Sequence, residues 1–370
     1  METRIYPPFL PEDRAMITDF LASRGLTWEE DPDYSVVMLR GRKIVGAGSL
    51  SGRIIKGLAV DETLSGEGLA VHILSELEAE AARRGVIRPF IYTSPANRAI
   101  FESLGYRTVG EAPGFAVLLE KGDGIERWCA SLRDLARLAS PARLAHLGGA
   151  RRAGHLATAE NTTEAKTVSA LVMNCNPFTL GHLHLVRTAA SRSSHVFLFV
   201  VAEEASSFPY ETRLRLVREG TAEIPNVTVV PGNEYIVSRA TVPTYFLNDR
   251  AGEAAEIHAR LDVDIFGSRI APAVGALRRF VGEEPYSEVT AIYNRVMKEW
   301  LPSYGIEVVE IPRMADSSGA AVSASTVRCA IREGKLASVR GIVPGSTWKY
   351  LISPEAAPVL AKIAASGGRH

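Results

Sequence analysis

Short apolar runs separated by turn residues dominate the first 122 positions. Residues 35–39 (SVVML) and 43–49 (KIVGAGS) flank Arg40-Gly41-Arg42, which predicts a β-hairpin. Residues 53–60 predict a third strand. Leu69, Ile73, Leu74 and Leu77 then recur at helical spacing over 69–84, and Gly85 is a natural helix stop. A strand at 88–93, a helix at 96–104 and a strand at 114–120 complete this region. Residues 126–139 predict a connecting helix carrying Leu132, Leu135 and Leu138. Residues 140–166, rich in Ala, Gly, Arg and Thr, keep no apolar period and predict an exposed linker.

A second alternating region follows. Strands are predicted at 167–173, 195–201, 227–230, 262–266 and 306–311, and helices at 181–193, 209–219, 250–260 and 287–301. Strands that alternate with helices imply a doubly wound parallel sheet.

Composition narrows the function only slightly. The 370 residues carry 42 Lys plus Arg and 42 Asp plus Glu, so no global charge bias suggests nucleic-acid or membrane-surface binding. Any phosphate site must be local. Cys129, Cys175 and Cys329 lie far apart and lack metal-ligand spacing, so neither a disulfide framework nor a cysteine zinc site is expected. No apolar stretch reaches membrane-spanning length, and the first residues lack a signal-peptide core. A soluble, cytoplasmic protein is therefore expected.

The sharpest chemical signal is Asn174-Cys175-Asn176-Pro177-Phe178-Thr179-Leu180-Gly181-His182, between a buried strand and an amphipathic helix. Ligands of open α/β sheets bind at that kind of turn. Gly181 admits close backbone approach, the helix start offers free N–H groups and a positive dipole, Thr179 offers a hydroxyl, and His182 offers a ring N–H to an attacked phosphate. Four residues of the form T-x-G-H also occur by chance, with the histidine an ordinary helix-start residue. A second segment adds weight: Val322-Ser323-Ala324-Ser325-Thr326-Val327-Arg328. Its hydroxyls suit a helix N-cap, and Arg328 would project from the first turn towards a polyphosphate. Read alone, it is a plain cap with an exposed arginine. Two phosphate-compatible helix starts in one α/β domain are harder to attribute to chance.

Together these motifs resemble the T/H-x-G-H nucleotidyltransferase superfamily, with Val322, Ala324 and Ser325 replacing the usual residues of its late I-S-S-T-x-x-R motif. Longer segments carry a closer resemblance: MNCNPFTLGH at 173–182, FPYETRL at 208–214, EYIVSRAT at 234–241, RFVGEEPY at 279–286, VTAIYN at 289–294 and IEVVEIPR at 306–313. These are similar to the citrate lyase ligase family. The resemblance implies that ATP and acetate form acetyl-adenylate with release of pyrophosphate. The acetyl group then passes to the thiol of a dephospho-CoA-type arm on the citrate lyase acyl-carrier subunit. Magnesium is expected with ATP, and no protein metal ligand is assigned.

The resemblance implies that Thr179, His182 and Arg328 are catalytic. Nucleotide contacts are expected from Asn174, Asn176, Pro177, Phe178, Gly181, Ser323, Ser325 and Thr326, with Arg213 and Arg239 as candidate anion contacts. His184 is expected at the surface or in packing, and Cys175 as a small buried side chain. Glu283 and Glu284 could serve magnesium or a partner, or simply be solvated; Tyr293 and Asn294 receive no role.

In the first region, Gly66, Gly68 and Ala70 open a helix in a pattern similar to motif A of GCN5-related acetyltransferases, although Ser65 stands where Gln or Arg is usual. Residues 97–106 resemble a later segment of that family. A loop of this kind would hold the pyrophosphate of the CoA-like arm; the alternative is a scaffold without ligand. The expected layout is a mixed α+β acetyltransferase-like domain at 1–125, a connecting helix and linker at 126–166, a Rossmann-like nucleotidyltransferase domain at 167–350 and a tail at 351–370. The competing functional readings are a phosphopantetheine adenylyltransferase-like enzyme, a non-catalytic acyl-CoA sensor and a protein N-acetyltransferase.

Overall fold

The computed structural model describes residues 2–7, 9–28, 32–64, 66, 68–139, 167–202, 206–236, 251–284, 287–315, 319 and 321–366; for 251–253 it describes the backbone only. The linker expected at 140–166 lies outside the described residues. The chain forms two compact units, Met1–Arg127 with Thr241–Ile265, and Trp128–Ala240 with Phe266–His370.

The first unit is built on a seven-stranded sheet of order β1-β2-β3-β4-β5-β7-β6. Its strands are β1 (Glu2–Tyr6), β2 (Tyr34–Arg40), β3 (Lys43–Ser51), β4 (Ile54–Val60), β5 (Phe90–Thr93), β6 (Tyr106–Ala112) and β7 (Ala116–Lys121). The expected hairpin is β2–β3, and β4 pairs with β5 in parallel. Helix α1 (Pro11–Ala22) covers one face through Ile17, Phe20 and Leu21. Helix α2 (Leu69–Arg83) covers the other through Ile73, Leu74 and Leu77, and α3 (Arg98–Ser103) adds Phe101. Glycines at 46 and 48 let α2 lie flat, because an added Cβ at either would come within 2.8 Å of Ile73.

Helix α4 (Gly124–Leu138) crosses the division between the units. Glu120, fully buried, accepts from the Ile125 N–H at its start. The apolar face of α4 runs through Ile125, Cys129 and Leu132, whereas Leu138, expected on it, is exposed.

The second unit has a five-stranded, all-parallel sheet of order β10-β9-β8-β11-β12. Its strands are β8 (Val168–Met173), β9 (His195–Val200), β10 (Val227–Pro231), β11 (Arg278–Gly282) and β12 (Glu307–Ile311). Chain order runs outward from β8 to one edge, returns, and fills the other side. The reversal beside β8 opens a crevice at the carboxyl ends of β8 and β11. Helices α5 (Leu180–Arg192) and α6 (Tyr210–Thr221) follow β8 and β9.

One expectation fails here, and one strand appears that the pattern did not predict. The strand expected at 262–266 is the end of α7 (Ala251–Ile265), which runs into a π-helical turn, Phe266–Ile270, and a short α8 (Ala271–Val274). Ile257, His258, Leu261, Asp262, Val263 and Ile265 are all buried, so α7 is covered on most sides and shows no one-sided period. It belongs to the first unit, where Ile265 packs where a Cβ on Gly110 would lie and Asp264 accepts from the Glu111 N–H at 2.7 Å. The sheet position goes instead to β11, whose short apolar run is hidden between Arg278-Arg279 and Glu283-Glu284. Buried Arg279 lies 4.2 Å over the Phe266 ring.

Helices α9 (Glu288–Trp300), α10 (Ala324–Arg332), α11 (Gly345–Leu351) and α12 (Ala357–Ala365) complete the unit. The expected tail at 351–370 is packed structure through residue 365, with Ala356 and Ile363 in the core that also holds Val327 and Ile331 of α10. Among the described residues, no helix is long and apolar enough to cross a membrane.

Candidate functional site

Thr179 ends the loop after β8 in extended backbone and caps α5. Its hydroxyl oxygen accepts from the His182 N–H at 3.4 Å, while the Thr179 N–H donates to His182 Nδ1 at 3.0 Å. This reciprocal cap has a chemical consequence. Because Nδ1 accepts a hydrogen bond, the neutral ring carries its proton on Nε2. Burial and the nearby Arg313 charge hold the His182 pKa down to about 4. The ring is therefore a neutral N–H donor at neutral pH. Phe178, fully buried, stacks on it with centroids 5.9 Å apart.

The second motif folds as a matching cap. Ser323 Oγ accepts from the Thr326 N–H at 3.1 Å and starts α10. Arg328, buried in its second turn, donates to the Asn176 carbonyl at 2.6 Å and to Ser325 Oγ at 3.1 Å, so it links the two loops. Burial, with Arg332 nearby, lowers its pKa from the ordinary arginine value; a guanidinium stays cationic regardless. Gly181 explains how the motifs come so close: a Cβ there would sit 2.7 Å from the Val322 carbonyl oxygen. Replacing Gly181 with Ala is expected to push the Val322–Ser323 backbone away, weakening ATP binding about tenfold and costing about 1–3 kcal/mol of stability. Calorimetric titration with ATP and urea unfolding check it, and wild-type values in both would refute it.

The two helix starts face a cleft of about 930 Å³ at the ends of β8 and β11, within the roughly 300–1,000 Å³ of small-molecule sites. Its walls bring together Asn174, Asn176, Thr179, Gly181 and His182 from the first loop, and Ser323, Ser325 and Arg328 from the second. Other expected contacts are placed elsewhere. Pro177 and Phe178 are buried behind the loop, and Thr326 serves the cap. Gly66, Gly68 and Ala70 belong to the first unit, at the start of α2. Arg239 lies outside the described residues.

Arg213 requires a correction. Expected as an anion contact, it is fully buried beneath the loop. Its guanidinium donates to Asn174 O (2.7 Å), Asn174 Oδ1 (2.6 Å), Val201 O (2.8 Å) and Phe208 O (3.0 Å). The charge is spent on the chain's own carbonyls and holds the loops after β8 and β9 together. Asn176 helps, its Oδ1 accepting from the Phe208 N–H at 2.9 Å. Cys175 lies in the same loop at φ +54°, 1% exposed, with burial pushing its thiol up to about 12; it has no nucleophilic character at neutral pH.

The cleft also contains residues that motif reading missed or left open. His184, expected at the surface or in packing, lines it, as do Thr290 and Arg313, which received no role, and Glu283 and Glu284, for which magnesium, a partner or plain solvation stood as alternatives. Arg313 had no signal beyond its place in a long matching segment. Asn294 has a structural role: buried on α9, it donates to the Gly282 carbonyl at 3.0 Å and pins the end of β11.

In the first unit, Gly66 and Gly68 adopt left-handed φ of +91° and +76°, and nothing lies within 4 Å of a Cβ added to either. At these two positions the backbone conformation favours glycine.

Known proteins resemble this chain over nearly its whole length. The citrate lyase ligase C-terminal domain matches residues 168–351, and an acetyltransferase (GNAT) domain matches 11–116. The citrate (pro-3S)-lyase ligase of Klebsiella pneumoniae is 36% identical over 344 residues, covering 92% of each chain. That of Escherichia coli K12 is 36% identical over 343 residues, covering 91% of this chain and 90% of its own. The crystal structure of pantothenate synthetase from Thermus thermophilus aligns at 18% identity and a TM-score of 0.32, covering 54% of this chain and 75% of that one. On the extent and level of the full-length matches, the chain belongs to the citrate (pro-3S)-lyase ligase family.

Proposed function

We propose that this protein is an ATP-dependent ligase that activates citrate lyase by acetylating the thiol of a dephospho-CoA-type arm on its acyl-carrier subunit. The observation that carries the chemistry is the junction of two capped helix starts, locked by Gly181 against Val322 and by Arg328 on the Asn176 carbonyl. Such a junction suits a triphosphate whose α-phosphate lies at one helix and whose leaving pyrophosphate lies at the other.

In the first step an acetate oxygen attacks the α-phosphorus. The bond to the β-phosphate oxygen breaks, and pyrophosphate leaves. Charge builds on the non-bridging α-oxygens, where Thr179 and the Nε2–H of His182 donate. Ser323, Ser325 and Arg328 hold the β- and γ-phosphates and receive the pyrophosphate charge. Cys175 takes no part. In the second step the carrier thiol, giving up its proton, attacks the acyl carbon, and the bond to AMP breaks. Positioning and charge stabilisation carry the rate. The described residues form no cluster of three or more His, Cys, Asp or Glu side chains, and Glu284 is engaged by Arg313. Magnesium would therefore come with ATP, held mainly by phosphate oxygens and water.

The experiment is pyrophosphate exchange with purified protein, magnesium and ATP. Label should enter ATP when acetate is present and not without it. Exchange that ignores acetate but follows a pantetheine phosphate would replace the ligase with an adenylyltransferase.

For the first unit we propose that the Gly66–Gly68 loop takes the pyrophosphate of the CoA-like arm. Replacing Gly68, at φ +76°, with Val is expected to weaken dephospho-CoA binding about tenfold or more and to leave acetate-dependent exchange intact. Unchanged affinity would reduce this unit to a scaffold.

A further inference from the structure

We propose that Arg313 is the cation that contacts the α-phosphate in the cleft, and that Glu284 and Asn294 are its positioning residues. The inference rests on reading the cleft as a nucleotide site. Among the described residues lining it, two are cationic, Arg313 and Arg328. Arg328 is tied to the Asn176 carbonyl and Ser325 at the late motif, the end assigned to the leaving pyrophosphate. At the other end His182 is neutral. It offers a donor but no charge, while the attacked α-phosphate gains negative charge. Arg313 is held at the carboxyl end of β11, the strand that pairs with β8, which leads to His182, and both side chains line the same cleft; its charge is also felt at the His182 ring.

The way Arg313 is held fits orientation better than simple surface pairing. Its Nε donates to the Glu283 carbonyl at 2.7 Å and its Nη2 to the Glu284 carboxylate. The Glu284 side chain is only 11% exposed and also accepts from the Ser287 N–H at 3.1 Å, at the cap of α9. Seven residues along, Asn294 donates to the Gly282 carbonyl and, at 3.2 Å, to Glu310, whose other oxygen accepts from Lys298 at 2.8 Å. The strand end bearing Glu283 and Glu284 is thus clamped from α9 and β12, and both residues grip Arg313. A nearly buried carboxylate costs desolvation; here its partner lines the cleft, where the orientation of a planar fork decides whether it can chelate phosphate oxygens.

The test is calorimetric binding of AMP and of α,β-methylene ATP to the full chain, in wild type, R313Q, R313K and R328Q. R313Q should weaken both ligands by a similar factor, about tenfold or more, because both carry the α-phosphate. R328Q should weaken the triphosphate and spare AMP. R313K should recover part of the loss, which a misfolded variant cannot do. E284Q should lower the kcat of acetate-dependent exchange about tenfold and change the KM for ATP much less. Wild-type AMP affinity in R313Q would overturn the assignment, and an unchanged kcat in E284Q would overturn the positioning role. Absence of acetate-dependent exchange in the wild type would end the ligase reading, while the AMP titration would still decide the role of Arg313.

Discussion

Replacing His182 with alanine is expected to lower the turnover of acetate-dependent pyrophosphate exchange by about 10²–10³ and to leave the KM for ATP within a few-fold. The cap with Thr179 fixes the ring so that Nε2–H points away from the hydrogen-bonded edge. A donor of this kind acts on charge that appears only in the transition state, so its loss falls on kcat. Removing the ring also takes the partner from the Thr179 N–H, which costs about 1 kcal/mol and leaves the fold intact.

The same residue has a signature in stability against pH. Its pKa is about 4 in the folded chain against an ordinary 6.5. Above pH 6.5 both folded and unfolded rings are neutral, and the group contributes no slope. Between 6.5 and about 4 the unfolded chain takes up a proton that the folded chain refuses, so stability falls with pH in that window. The alanine variant should lack this part of the slope in urea unfolding. Equal turnover, or an identical pH slope, in H182A would remove the residue from its assigned role.

Replacing Arg213 with methionine is expected to destabilise the protein by about 3–5 kcal/mol. A buried acceptor left without a donor costs about 1–3 kcal/mol, and Arg213 serves four, with water able to replace only part of them. This is a large share of the roughly 5–15 kcal/mol that holds a typical domain together. Lysine should rescue little, because one ammonium cannot span acceptors arranged for a planar fork. Urea unfolding measures the effect; a loss below about 1 kcal/mol would mean that the loops hold without the guanidinium. The residue touches no substrate in this scheme, yet its loss should also blunt exchange, because the Asn174–Thr179 loop rests on it.

What could be read from the chain followed one-sided burial in the helices and bounded apolar runs in the strands. Helices α2 and α5 each pair an apolar face with a polar one, while β2, β3 and β8, buried on both faces or nearly so, were announced by apolar runs bounded by turn residues. Helix α7 gave no such sign, since burial on most sides erases the period, and the alternation of Leu261 to Ile265 imitates a strand. Strand β11 was masked by the charges at its ends. At the site, Thr179, Gly181, His182, Ser323, Ser325 and Arg328 were legible because caps and close approaches demand particular side chains at fixed spacing. Arg213 misled because an arginine in a sequence carries no mark of burial. Arg313, Glu284 and Asn294 are held by contacts between segments distant in sequence, which no local pattern encodes.

The helix that closes onto β6 is made late. Asp264 and the Glu111 amide it caps are 153 positions apart in the chain. A ribosome adding about 5–20 residues per second needs roughly 8–30 s to cover that interval. Throughout that time the first unit exists without α7, and edge strand β6 has emerged before the side chain that satisfies its amide. The first unit is therefore made in two instalments: its last piece arrives only after the T-x-G-H loop of the second unit has been synthesised.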